Sequence, residues 1–104
     1  NSIMDLQQEE WKSNFEKDDN AFLLDVRTLD EFDKGHIPNA SLLDIRESEA
    51  FVEGIQSLDI SKNYYVYCRS GGRSALACKL MNQMGILNTY NLLGGYMEWE
   101  GETV

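Results

Sequence analysis

The run Tyr64-Tyr65-Val66-Tyr67 ends in Cys68, and Arg69-Ser70-Gly71-Gly72-Arg73-Ser74 follows it. Aromatic and β-branched side chains make the first run a strand. Ala75 to Met84 carries a helical pattern. The two glycines permit a tight loop between strand and helix, with Arg73 and Ser74 opening the helix. A cysteine therefore sits where a strand ends. Such a loop turns backbone N–H groups inward, toward the sulfur or an anion bound to it. The helix N-terminus and two arginines favour thiolate over thiol. The residues point to a nucleophilic cysteine in an anion-binding cradle.

The rest of the chain alternates short strands and helices. Ile3-Met4 reads as a first strand, and Asp5 as the cap of a helix carrying Leu6, Trp11 and Phe15. Asp18-Asp19-Asn20 is a turn, and Ala21 to Val26 is an almost unbroken apolar run, as in a strand buried on both faces. Thr28 and Glu31 have the spacing of a capping box for a helix over 29–34, which Gly35 ends. His36-Ile37-Pro38-Asn39 is a turn, and Ala40 to Ile45 a strand. A helix over 47–58 places Ala50, Phe51 and Ile55 on one stripe. The helix after the cysteine loop has the apolar stripe Leu76, Leu80, Met81 and Met84, and Gly85 stops it. Thr89 to Leu93 is the last strand, and Gly94-Gly95 begins a closing turn toward Trp99. This alternation predicts an α/β fold with a parallel sheet covered on both faces. Ligands of such sheets bind beyond the carboxyl ends of the strands. Cys68, Asp25 and Arg27 all fall there.

A chain of 104 residues with 42% apolar side chains is read as one domain, 1–104, with a real core. No apolar run approaches the ~18 residues of a membrane span, and no signal peptide is visible. A cytoplasmic location is expected, although a start at Asn1 leaves room for an upstream leader or domain. Two cysteines are too few for a disulfide scaffold and form no ligand cluster with the one histidine, His36. No metal and no cofactor are expected. Nine basic against eighteen acidic residues, a net charge of −9, argue against nucleic-acid binding. Arg69, Arg73 and Lys79 stand out as a local cationic cluster on this acidic chain.

Asp25-Val26-Arg27, Glu31-Phe32, Gly35-His36-Ile37-Pro38-Asn39-Ala40, the 68–74 loop and Leu93-Gly94-Gly95 with Trp99 resemble the successive signatures of the rhodanese domain. They occur in that family's order, from about Ile3 to Trp99. The resemblance implies a five-stranded parallel sheet flanked by helices, and sulfur transfer through a persulfide on Cys68. It makes Arg69, Ser70, Gly71, Gly72 and Arg73 the substrate-binding cradle, with Ser74 at the helix start. Asp25, Arg27, Glu31 and His36 fall on positions that look structural in the family. The implied partners are a sulfur donor such as thiosulfate or a persulfide, and a thiol or cyanide acceptor; a protein acceptor fits the same loop.

The chemistry agrees with the residue types. A thiolate attacks the donor and an anion leaves, so inward N–H groups serve both states. Cys68 lies in a run too polar for a core site, whereas Cys78 reads as a small core residue beside Leu80 and Met81. Arg73 and, less distinctly, Arg69 read as substrate-steering charges. His36 reads as a turn-holding residue, Arg27 and Glu31 as a pair over one helical turn, Asp25 as a hydrogen-bond acceptor under the loop, and Tyr96 and Trp99 as packing. Two other functions compete. Cysteine phosphatases and arsenate reductases use Cys-x5-Arg, but Cys68 and Arg73 make Cys-x4-Arg, with no aspartate just after the loop as a general acid. A non-catalytic interaction module would not need Cys68 or its cradle.

Overall fold

The computed structural model describes residues 2–104. In chain order the elements are β1 (Ser2–Leu6), α1 (Gln8–Lys17), β2 (Ala21–Asp25), α2 (Leu29–Lys34), β3 (Ser41–Leu42), α3 (Ser48–Gln56), β4 (Asn63–Tyr67), α4 (Gly72–Gln83) and β5 (Asn88–Leu92). A 3-10 turn over Tyr96–Glu98 follows. The five strands lie in the order β1-β5-β4-β2-β3, and every neighbouring pair is parallel. The expected five-stranded parallel sheet with flanking helices is present.

β4 is central, and Tyr64, Tyr65, Val66 and Tyr67 are all buried. Alternate side chains of a strand face opposite sides. Tyr64 and Val66 accordingly pack with Leu24 and Val26 against Phe51 and Ile55 of α3 and Ala77, Cys78 and Met81 of α4. Tyr65 and Tyr67 face the other way, toward Trp11 of α1, Leu23, Ile37 and Leu92. Trp11 meets the Trp99 ring edge-on at 5.6 Å, and its indole N–H donates to the Tyr90 carbonyl at 3.0 Å. Register brings Asp5, Asn91 and Val66 side by side, one residue short of the carboxyl ends of three adjacent strands. No helix among the described residues is long and apolar enough to cross a membrane.

Several local expectations are corrected. Asp5 and Leu6 belong to β1, which pairs with β5 through Leu6, so they neither cap nor start a helix. The helix begins after Gln7, whose side chain makes no capping bond. Strand pairing overrides the capping preference of Asp5 there. The strand expected over 40–45 is confined to Ser41–Leu42. Leu43 and Ile45 still donate to the carbonyls of Asp25 and Val26, but the Asp44 carboxylate accepts the Arg46 N–H at 2.8 Å and turns the chain away. On α3, Phe51 and Ile55 are buried as expected and Ala50 is exposed. On α4 the buried stripe is Ser74, Ala77, Cys78 and Met81, while Leu76 is 51% exposed. The cysteine loop sets this rotation by holding Ser74 inward, and small side chains at 74, 77 and 78 let the helix lie close to the sheet.

Candidate active site: the cysteine loop

Cys68 leaves the end of β4, and the chain turns back over it to start α4 at Gly72. Gly71 caps the helix with φ at +108°, a conformation glycine adopts without strain. Its N–H points at Cys68 Sγ from 3.1 Å. Ser74, in the first turn of α4 rather than at its first residue, holds its hydroxyl oxygen 3.4 Å from the same sulfur. From outside, the Tyr96 N–H donates to the Cys68 carbonyl at 2.8 Å and the Met97 N–H to the Arg69 carbonyl at 3.0 Å. Carbonyls bonded outward leave N–H groups to face inward. The outer brace needs Gly95, whose φ is +61° and where a Cβ would collide with the Arg69 carbonyl.

Burial pushes the Cys68 thiol up; the Ser74 hydroxyl and the N–H groups of Ser74, Gly71 and Ser70 outweigh it and hold the thiol below its ordinary value. Ser70 and Gly71 belong to the loop run 69–73, and Ser74 lies just beyond it. Cys68 is also only 1% exposed and continuous with the apolar layer under α4. The polar loop residues lie over the cysteine rather than around an open thiol, which corrects the expectation that so polar a run excludes a core position. Cys78 is fully buried one helical turn beyond Ser74, and desolvation pushes its thiol up to about 12.

The arginines divide. Arg73 Nη1 and Nη2 donate to the two carboxylate oxygens of Glu31 at 2.8 and 2.9 Å. Glu31 also accepts the Thr28 N–H at 3.0 Å and completes the expected capping box of α2. The Arg73 guanidinium is the largest influence on Glu31 and holds its carboxyl down at about 2. The expected Arg27–Glu31 pair does not form. Arg27 lies in a bend just before the N-cap and outside the helix, so helical spacing does not apply to it. Its guanidinium instead bonds Asp25 at 2.7 Å, donates to the Gly35 carbonyl at 2.8 Å and lies over the Tyr96 ring at 4.3 Å. Asp25 is the expected acceptor, taking the Arg27 N–H at 3.0 Å as well. Arg69 is exposed and lines a cleft of about 200 Å³ with Arg27, Glu31, Lys34, Tyr96 and Met97. Lys79 is exposed on α4. The cationic cluster read from the sequence therefore has one member tied to a carboxylate.

His36 holds its turn as expected. Its Nδ1 lies 2.9 Å from the Phe32 carbonyl, an acceptor, so Nδ1 carries the proton. Its ring stacks on Phe32 at 3.7 Å. Tyr96 stacks on Tyr67, and Trp99 packs on Trp11.

Sequence reading missed one group behind the sulfur. Asn91 is buried on β5 and accepts from the Ser74 hydroxyl, while its own amide donates to Asp5 at 2.9 Å. The available signal was a pair of polar side chains, Thr89 and Asn91, in a strand that is otherwise to be buried.

The family model described as the rhodanese-like domain matches residues 7–102. The chain is 41% identical over 92 residues to YtwF of Bacillus subtilis (strain 168), provisionally named a sulfurtransferase, across 88% of this chain and 85% of that protein. It is 35% identical over 86 residues to a sulfurtransferase of Allochromatium vinosum, across 78% of this chain and 73% of the other. The crystal structure of a rhodanese-like domain protein from Staphylococcus aureus aligns with a TM-score of 0.81 at 27% identity, covering 95% of this chain and 93% of that one. Matched along nearly its whole length in sequence and in sheet architecture, the chain belongs to the rhodanese-like domain family, whose relatives here include sulfurtransferases.

Proposed function

We propose that this chain moves sulfane sulfur from thiosulfate or a persulfide donor to a thiophilic acceptor, through a persulfide on Cys68. The observation that carries this reading is the pair of donors on one sulfur, the Gly71 N–H at 3.1 Å and the Ser74 hydroxyl at 3.4 Å. They favour the anion without a general base.

In the first step the Cys68 thiolate attacks the outer sulfur of thiosulfate. The new S–S bond forms as the old one breaks, and sulfite leaves with the bonding pair. In the second, cyanide or a thiolate attacks the outer sulfur of Cys68–S–S⁻ and returns Cys68 as thiolate. Arg69, exposed beside the cleft, attracts the anionic donor; Ser70, Gly71 and Ser74 stabilise the sulfur, and Gly72 and Arg73 close the loop.

Against phosphate chemistry stand the Cys-x4-Arg spacing and the fate of Arg73, both of whose terminal nitrogens are committed to Glu31. The test is mass spectrometry after treatment with thiosulfate or a small-molecule persulfide, followed by cyanide. One sulfur gained on the Cys68 peptide and lost to cyanide supports the reading. No gain on Cys68 from either donor removes it.

A further inference from the structure

A line of hydrogen bonds, buried at the sulfur and half-buried at its far end, runs from Cys68 across two strands to the edge of the sheet. Ser74 Oγ lies within reach of Cys68 Sγ at 3.4 Å, the Gly71 carbonyl at 3.2 Å and Asn91 Oδ1. A hydroxyl has one proton, so it serves one of these acceptors at a time. Which one is decided by Asn91. Its Nδ2 donates to Asp5 Oδ1 at 2.9 Å and lies 3.4 Å from the Gly71 carbonyl. Both groups only accept. Turning the amide over would set its oxygen against them, so Oδ1 must face Ser74. The Ser74 proton then goes to Asn91, and the Ser74 lone pairs face the thiol, whose S–H donates to them.

We propose that Asp5 and Asn91 are positioning residues for Cys68, holding the Ser74 proton on Asn91 while the sulfur is a neutral thiol and yielding it by hydroxyl rotation when the sulfur carries charge. On ionisation the S–H bond breaks, its electron pair stays on sulfur and the proton passes to a solvent base. Ser74 keeps its own proton and only rotates. The competition with Asn91 makes the thiolate less stabilised than a free serine would make it. A thiolate of higher pKa is the stronger nucleophile. When charge moves to the outer sulfur of a persulfide, the hydroxyl returns to Asn91. Asp5 stands on edge strand β1, with β5 between it and the strand that ends at Cys68, and Asn91 is buried, so neither is placed to touch a donor. The inference rests on the reading of Cys68 as the sulfur carrier.

Other charged groups lie at the same end of the sheet. They are Arg69 in the loop, Arg73 with its partner Glu31, the Asp25–Arg27 pair at the end of β2, and Asp44 after β3, which acts on Arg73. Cys78 on α4 senses both Cys68 and Asp5. All of them stay in place in the variants below.

The experiment is the pH dependence of iodoacetamide alkylation, read on the Cys68 peptide by mass spectrometry, with thiolate ultraviolet absorbance as a second readout. Asn91→Leu removes the nearer of the two competing acceptors without changing charge, and leaves the longer contact to the Gly71 carbonyl. It is expected to lower the Cys68 pKa by roughly half a unit to one unit. It should also lower the alkylation plateau at high pH roughly twofold, since nucleophilicity falls with pKa. A merely structural Asn91 predicts the opposite sign, because a loosened Ser74 no longer reaches the sulfur. A folded Asn91→Leu protein with an unchanged or raised pKa therefore overturns the proposal.

Asp5→Asn decides the matter if Asn91→Leu does not fold. Removing a carboxylate lowers a thiol pKa through space whether or not Ser74 is present. The relay adds a further drop that needs the Ser74 hydroxyl. The Asp5→Asn shift is therefore expected to be larger with Ser74 than in a Ser74→Ala background. Equal shifts in the two backgrounds overturn the relay. Alkylation needs no sulfur donor. A chain that never takes up sulfur but shows the expected shifts refutes the proposed function and leaves the relay standing.

Discussion

Glu31 and Arg73 join the start of α2 to the first turn of α4 through two parallel bonds of 2.8 and 2.9 Å. The same carboxylate caps α2 through Thr28, so one side chain ties the capping box to the cysteine loop. Planar guanidinium and carboxylate match in this geometry, which fixes direction as well as distance.

Glu31→Gln is expected to lower stability by about 1 kcal/mol at neutral pH, a value that allows for solvent screening of a partly exposed pair. The carboxyl sits at about 2 in the folded protein and near 4.5 when unfolded. Its folded value is depressed, so its contribution is complete above about 4.5 and is lost as pH falls toward about 2. Urea denaturation of both proteins at neutral pH and at low pH checks this. The gap should close in acid; a gap that is constant with pH excludes the ion pair as its source.

Cys68→Ser should abolish thiosulfate-dependent thiocyanate formation, and Cys78→Ser should keep most of it. Cys78 is buried with its thiol pushed up to about 12, so almost none of it is thiolate at neutral pH. Loss of most activity in a folded Cys78→Ser protein would replace a single-cysteine carrier with a two-cysteine relay.

The Cys68 thiol is expected to titrate below the free-cysteine value of about 8.5. Ser74→Ala should raise it by roughly one unit, the scale of one lost hydrogen bond to a charged sulfur. The alkylation profile reads both values. A wild-type midpoint at or above the free value contradicts the donor geometry.

Gly95→Ala should both destabilise the fold, by about 2 kcal/mol or more, and raise the Cys68 pKa. The added Cβ at φ +61° strikes the Arg69 carbonyl and pushes the brace off the loop. Thermal unfolding and thiol titration on one preparation check the two effects. A destabilised variant with an unchanged thiol would separate the brace from the cradle.

Arg69→Ala should raise the Michaelis constant for thiosulfate several-fold more than Arg73→Ala does, and added salt should weaken the wild type in the same way. The loop sequence by itself ranks the two the other way, because Arg73 stands at the helix start. Its bonds to Glu31 reverse the order. Hydrolysis of an aryl phosphate should be negligible beside thiocyanate formation. One glycine inserted between Gly71 and Gly72 should lose sulfur transfer. Efficient Cys68-dependent phosphate hydrolysis would move the chain to the phosphatase class.

What was legible in the chain was local. Four apolar residues before Cys68, glycines at 71 and 72, the Thr28–Glu31 spacing and the strand–helix alternation each depend on neighbours a few positions away. Backbone sterics, capping and periodicity act at that range, and they were enough for the sheet, the capping box and the cysteine loop. The end of the first strand was the exception. Asp5 has the side chain of a helix cap, and only β5, more than eighty positions later, supplies the partner that keeps it in the strand.

Partnership across the fold was decided only by tertiary structure. Glu31 had Arg27 four residues before it, yet Arg73, forty-two residues away, holds it, because Arg27 stands outside the helix and bonds Asp25. Asn91 meets Ser74 and Asp5 only because β5 lies between β1 and β4 in parallel register. The burial of Cys68 follows from α4 resting its small residues on the sheet and closing the loop over the sulfur. A sequence states which groups can donate, accept or carry charge. Which of several eligible partners is met depends on strand order and helix rotation, set by burying both faces of the sheet at once.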